Sequence, residues 1–324
     1  MDSLRDKRAL VTGAAGFVGA NLIKQLLRHG ARVHAVVRPT TRLWRIEDDL
    51  PALVLHVSDL TDHDRFQSAV QTARPDVVFH LAAPGGHPAT PQARVEFLAS
   101  AVLGTAHLLE ALAPLDYQRL VVAGSALEYG PRLVPHTESD RLEPTTARGT
   151  AKAAASLLCL QRARAERRPI VVLRLFSVYG CWENPLRLIP TVIRSVLRGA
   201  DVVLTAPGVR HDFVFVEDVV DAMLLAATTG HADGEVFNVG SGQQWSNEDV
   251  VDQVQQLTGR TVPVRAGEYP AQPADTGYWV ADIRKAAAVL GWRPRHDLAR
   301  GLQKTIEWFR VHQDAHDRVT AARG

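Results

Sequence analysis

Cysteine is nearly absent from this chain. Cys159 and Cys181 are the only two in 324 residues, too few for a disulfide framework and not at the spacing of a metal site. Lysine is scarce as well, five against 32 arginines, a bias that fits a GC-rich genome better than a phosphate-binding surface. No charge of one sign dominates. The net charge is +2 and no long basic run occurs, which argues against a dedicated nucleic-acid binder. No apolar run is expected to reach the length of a membrane span. The opening "MDSLRDKRALVTG" passes from charge straight into a strand without the apolar core of a signal peptide. These absences lead to the expectation of a cytoplasmic enzyme with no metal, nucleic-acid or membrane partner. A cytoplasmic binding protein would share them.

What the chain does contain is a regular alternation. Short β-branched runs at 8–12, 32–37, 53–57, 76–80, 119–123 and 170–174 read as strands. Between them, near 17–29, 62–73, 92–113 and 148–167, apolar residues recur at three and four, the period of helices. Several strands are continuous apolar runs, as strands covered on both faces are. The fold class is α/β, a Rossmann-type doubly wound parallel sheet. After residue 175 the rhythm loosens into a helix near 186–198, a strand at 202–205, a strand-to-helix segment "HDFVFVEDVVDAMLLAA", then "GEVFNVG" and helices at 246–258, 282–290 and 298–312. The expected division is 1–175 for a dinucleotide-binding domain and 176–324 for a smaller, mostly helical lobe on the strand ends, with some segments returning to the first domain.

"ALVTGAAGFVGANLIKQLL" puts Gly13, Gly16 and Gly19 between the first strand and the first helix. That context suits a tight turn, close approach to a pyrophosphate at the helix N-terminus, and close packing of the helix. The end of the second strand bears on the choice of cofactor. An acidic residue there would bind a ribose 2′-hydroxyl. Here Val37 is followed by Arg38, with Arg42 and Arg45 beyond, and Arg38 could pair with a 2′-phosphate. The expectation is NADP, with NAD possible. Asp59 in "SDLTD" could accept a hydrogen bond from the adenine amino group or cap a helix. Ala82 and Ala83 supply small residues after the fourth strand, where a cofactor would run.

Taken in order, "TGAAGFVG", "SDLTD", "HLAA", "GSALEYG", "GTAK", "RLFSVYG", "HDFVFVEDV", "FNVGSG" and "LGWRP" resemble the extended short-chain dehydrogenase/reductases, in the branch acting on nucleotide sugars. The likeness covers about residues 8–310. It implies a nicotinamide cofactor on the first domain and a nucleoside diphosphate sugar under the lobe, and it suggests a homodimer through long helices near 92–113 and 146–167. It adds Phe17 and Leu60 to the cofactor residues. It makes Ser125 the hydroxyl at the reacting sugar oxygen. Lys152 becomes the cation that holds the nicotinamide ribose and lowers the pKa of a catalytic tyrosine. Ser177 and Tyr179 would line nicotinamide and substrate, Arg210 would lie near the diphosphate, and His87 and Asp275 would border the substrate.

The departures bear on chemistry. Arg148 stands four residues before Lys152, where the family keeps its tyrosine. Ala101 replaces an asparagine, Gln272 an arginine, and Ala126–Leu127 the Asp-Glu pair of the 4,6-dehydratases. Without that pair no carboxyls remain for proton removal and water loss. Arginine stays protonated, so it can stabilise an alkoxide but cannot shuttle a proton. Either an anion lies between Arg148 and Lys152, or Arg148 points to solvent. Candidates for the missing acid are Ser125, Glu128, Tyr129, Tyr179, His87 and a water chain. Three functions follow: an NADP(H)-dependent ketoreductase of a nucleotide-linked 4-keto-6-deoxysugar, an NAD-dependent nucleotide-sugar epimerase, or a non-catalytic binder.

Overall fold

The computed structural model describes residues 2–84, 90–271 and 276–312. Strands β1 (Arg8–Thr12), β2 (Arg32–Val37), β3 (Leu53–Val57), β4 (Val77–His80), β5 (Arg119–Ser125) and β6 (Ile170–Leu175) fall where the apolar runs place them. The later strands are short: β7 (Ser177–Tyr179), β8 (Val202–Leu204), β9 (Arg210–His211), β10 (Phe213–Phe215), β11 (Val236–Val239), β12 (Trp245–Ser246) and β13 (Val264–Ala266). The main sheet runs β11-β6-β5-β4-β1-β2-β3 and every pairing in it is parallel. Its seventh strand, β11, therefore comes from the C-terminal half of the chain.

The helices are α1 (Phe17–Arg28), α2 (His63–Ala73), α3 (Pro91–Leu98), α4 (Gly104–Leu112), α5 (Ala147–Glu166), α6 (Leu188–Arg198), α7 (Val216–Thr228), α8 (Asn247–Thr258), α9 (Arg284–Val289) and α10 (Leu298–Val311). Strand alternation sorts the core into two layers. Ala9 and Val11 of β1 face Leu22 and Ile23 of α1 and Val219 and Met223 of α7. Leu10 faces the other way, with Phe66 of α2, Leu108 of α4 and Leu160 of α5. A third core holds the lobe together, from Ile189 and Ile193 on α6, Val250 and Val254 on α8, and Leu302, Ile306 and Phe309 on α10.

The stretch expected to be one helix over 92–113 is α3 and α4 joined by a π turn at Ala99–Leu103. Pro91–Leu112, 22 residues, is long and apolar enough to cross a membrane by length and composition, contrary to the expectation that no run would be. In the fold this run packs against α2 and α5. Two buried carboxylates tie the lobe's loops to the sheet. Asp212 accepts from the backbone N–H of Ser241, Gly242 and Ala281. Asp218 accepts from Arg295 N at 3.1 Å and His296 N at 3.1 Å. Trp292 Nε1 also donates to Asp218 O at 2.9 Å, so the "HDFVFVEDV", "GSG" and "WRP" segments are joined by hydrogen bonds as well as by order.

Candidate functional site

The strand order turns back between β1 and β4, and their carboxyl ends open the crevice in which ligands of such sheets bind. Gly13 follows β1 at φ +71, and a Cβ there would stand 2.7 Å from Ala82 N. Only glycine lets this loop lie against the residues after β4. Gly16 is the N-cap of α1 with no side-chain bond, and the first turn holds no acidic residue. The first N–H groups and the positive end of the helix dipole therefore face the crevice, as a pyrophosphate requires. Gly19 abuts the Gly13 carbonyl. Phe17 opens α1 and packs its ring on the lobe core, joining the loop to the second layer. These features fit a bound dinucleotide.

At the other end of the crevice Arg38 is exposed, and its N–H bonds Thr41 Oγ1 at 3.1 Å. Asp59 accepts from Thr61 N at 2.9 Å and Thr61 Oγ1 at 2.7 Å. It does not cap α2, since Asp62 does that, accepting from Arg65 N. Burial pushes the Asp59 pKa up, but the Thr61 bonds and the Arg38 charge hold it below the usual carboxylate range. Arg45, further along the same segment, is committed to the scaffold. Its Nε donates to Trp182 O at 2.7 Å and its guanidinium covers the Trp44 ring at 4.4 Å. Leu60 is buried beside Gly104, and Ala82 and Ala83 are half-buried past β4.

Behind the crevice runs an oriented hydrogen-bond chain that the sequence did not reveal. Thr105 Oγ1 donates to Ala101 O at 2.6 Å, so it must accept from His80 Nε2 at 3.0 Å. His80 Nδ1 then accepts from Thr12 Oγ1 at 2.7 Å. Burial, with Lys152 nearby, lowers the His80 pKa to about 3, so the ring is neutral. It locks the ends of β1 and β4 to the π turn that holds Ala101.

The residues expected to act on the substrate lie at the end of β5 and in the first two turns of α5. Thr146 caps α5, accepting from Gly149 N at 3.0 Å. Gly149 is needed because a Cβ would meet Leu127 O at 2.3 Å. This close approach sets α5 against the turn that follows Ser125. Ser125 Oγ accepts from Leu127 N at 3.2 Å, which leaves its own proton to donate. Lys152 Nζ donates to Ala123 O at 2.7 Å. Burial and the adjacent Arg148 lower the Lys152 pKa to about 8. Arg148 does not point to solvent. It is partly buried, and its pKa is lowered by burial and by Arg187, the N-cap residue of α6. Glu183, whose pKa burial raises to about 7, lies 3.6 Å from Arg187. Arg187 and Glu183 escaped the sequence reading. Their signal, "CWENPLR" directly after "VYG", belongs to no motif used above.

Three proposed acids are corrected. Glu128 is fully buried and pairs with Arg174 at 2.8 Å, while its other oxygen accepts from Ser125 N at 2.8 Å and Ser156 Oγ at 2.9 Å. It holds the Ser125 turn from behind. Tyr129 stacks under Arg174, donates to Asn238 Oδ1 at 2.7 Å, and has its pKa raised to about 12 by burial. Tyr179 is 1% exposed in the lobe core, donates to Leu298 O at 3.3 Å and has its pKa driven up by burial. None of the three presents a proton to the crevice. Ser177 is partly exposed on β7, and Arg210 lies on β9, its N–H bonded to Thr276 O at 2.9 Å. His87, Gln272 and Asp275 lie outside the described residues.

Residues 9–240 match the NAD dependent epimerase/dehydratase family, and the chain belongs to that family, as the resemblance to extended short-chain dehydrogenase/reductases implied. A UDP-glucose 4-epimerase of Lactobacillus helveticus is 27% identical, with 96% of this chain and 99% of that protein covered. A dTDP-glucose 4,6-dehydratase of Streptomyces antibioticus is 30% identical, covering 93% and 92%. Among solved structures, MoeE5 in complex with UDP-glucuronic acid and NAD superposes with a TM-score of 0.83 at 34% identity, covering 94% and 99%.

Proposed function

We propose that the protein is an NADP(H)-dependent ketoreductase acting on a nucleotide-linked 4-keto-6-deoxysugar. The observation that carries this reading is a reacting end made of one hydroxyl, Ser125, and two cations, Lys152 and Arg148. Positive charge beside a hydroxyl stabilises the oxygen anion formed when a ketone is reduced. The nicotinamide supplies the hydride. The protein then has to deliver a single proton to an oxygen already anionic. A sugar 4,6-dehydratase fits less well, since Ala126 and Leu127 offer no acid–base pair and Glu128 is spent on Arg174. Arg38, exposed at the end of β2 where no acidic residue stands, favours a 2′-phosphate on the cofactor. In this reading residues 1–175 hold the dinucleotide and 176–324 the sugar nucleotide, with β11 and α7 serving the first domain. Val95, Leu98, Leu103 and Leu157 are exposed apolar residues on the α3–α5 face and support a homodimer.

The second reading, an NAD-dependent epimerase, is favoured by the NAD in the MoeE5 complex and by the L. helveticus epimerase. A bound NAD that survives purification, with sugar isomerised and no cofactor consumed, would establish it. A non-catalytic binder would take up cofactor and nucleotide sugar without converting either. The ketoreductase reading predicts NADPH oxidation, followed at its absorbance, only when a keto-sugar nucleotide is added. Absence of turnover with thymidine- and uridine-linked keto-sugars, despite measurable NADPH binding, contradicts it.

A further inference from the structure

We propose that the Lys152 ammonium is the acid that protonates the substrate oxygen, and that Arg148 is the positioning residue that makes it ready to do so. This inference rests on the ketoreductase reading and names the proton donor it lacks. Among the described residues the acids named from the sequence are turned away, and Glu183, its pKa raised by burial to about 7, is held at Arg187, 3.6 Å away. Glu128, Tyr129 and Tyr179 face inward. His80 is bonded at both ring nitrogens. Cys159, two turns beyond Lys152 on the same face of α5, is fully buried in the core and has its pKa raised by burial to about 12. Ser125 can relay a proton but holds its own too tightly to be the source. Arg148 does not release one.

Lys152 is placed for the task. An ammonium has three hydrogens, and one is taken by Ala123 O at 2.7 Å. Ala123 and Ser125 are two residues apart on β5, so they face the same side and are separated by roughly 7 Å along the strand. The remaining two hydrogens can be directed to the oxygen that Ser125 binds, directly or through one hydroxyl between. Arg148 lies one turn earlier on the same helix face. The other titratable groups acting on Lys152 are Glu128 and Cys159, which favour its charge, and His80, which is neutral. The Glu128 carboxylate is already occupied by Arg174, Ser125 and Ser156. In the step, the carbonyl carbon gains a hydride from the reduced nicotinamide and the C=O π pair moves to oxygen. That oxygen takes a proton from Lys152. The neutral amine left behind recovers a proton from water. A charge-bearing donor with a pKa near the working pH is the effective kind.

The test follows the five lysine ammonium groups by NMR in the full chain, with Lys152 assigned by its disappearance in K152R. Lys152 is expected to titrate well below the other four and to move up by about one pH unit in R148Q, where a neighbouring cation is lost. In turnover with NADPH, the rate is expected to fall as pH rises through about 8, because the acid form is then lost. R148Q shifts that limb upward. K152R keeps the charge without a releasable proton, so kcat drops by at least about a hundredfold while NADPH still binds. An ordinary Lys152 titration, a limb unmoved in R148Q, or a K152R variant that keeps its turnover overturns the assignment. A perturbed Lys152 titration, raised in R148Q, with no turnover of any keto-sugar nucleotide overturns the ketoreductase reading, and with it the proton transfer, while the effect of Arg148 on Lys152 stands.

Discussion

Arg148 matters through what it does to its neighbour. Two cations one helical turn apart share a face, so each makes the other's charge dearer, and only the lysine can shed it. The elements that carry these residues were readable in the sequence: Ser125 ends β5, Lys152 lies on α5, and the glycines join β1 to α1. Their orientation was not readable. Glu128 and Tyr129 turn inward because Arg174, 46 residues further along the chain, sits on the neighbouring strand and takes both. Removing one partner of that pair leaves a buried unpaired charge. E128Q is therefore expected to lose about 3–5 kcal/mol of stability, read as a lower denaturant midpoint; a shift below about 1 kcal/mol would show that Arg174 finds another partner. His136 offers a second check. Its ring is fully buried, stacked on Tyr129 at 4.9 Å, and neither nitrogen has a partner. Burial lowers its pKa from 6.5 to about 4. The unfolded chain thus takes up a proton that the folded chain refuses, and stability present above pH 6.5 is lost as pH falls toward 4. H136F should flatten the pH dependence of stability between those limits, measured by denaturant midpoints at several pH values. An unchanged slope would assign the acid sensitivity to other groups.

Elements were the most legible level. The apolar runs locate β1 to β6 to within about two residues, because strands buried on both faces need unbroken β-branched stretches. The π turn between α3 and α4 was not visible, because its residues "ASAVL" differ little from those of an ordinary helix. What holds it is tertiary: the Thr105 bond to Ala101 O and the His80 contact behind it. Two predictions belong here. G149A pushes α5 away from Leu127 O, a contact that cannot relax without moving the helix. It is expected to lower turnover by at least about tenfold with a smaller loss of cofactor binding; wild-type kinetics would show that the approach of α5 is dispensable. Leu157 is 54% exposed on α5. If the α3–α5 face pairs with a second copy, L157E converts dimer to monomer in sedimentation without altering the monomer's fold. A wild-type protein that sediments as a monomer removes that proposal.

At the scale of the whole molecule, the doubly wound sheet was predictable from the alternation of strands and helices, whereas the place of β11 was not. "GEVFNVG" reads as a short strand, but nothing local says that it returns to pair with β6. That pairing, with the Asp212 and Asp218 anchors, makes the lobe an extension of the first layer and fixes the crevice between them. The central claim is that this crevice passes one hydride, once, to a keto-sugar nucleotide and releases an oxidised cofactor. The most direct measurement supplies NADPH deuterated at the transferable position and analyses the sugar by mass spectrometry. The account predicts one deuterium on the sugar's former carbonyl carbon for each NADPH consumed. An isomerised sugar without deuterium, and with no NADPH consumed, would contradict it and identify an epimerase.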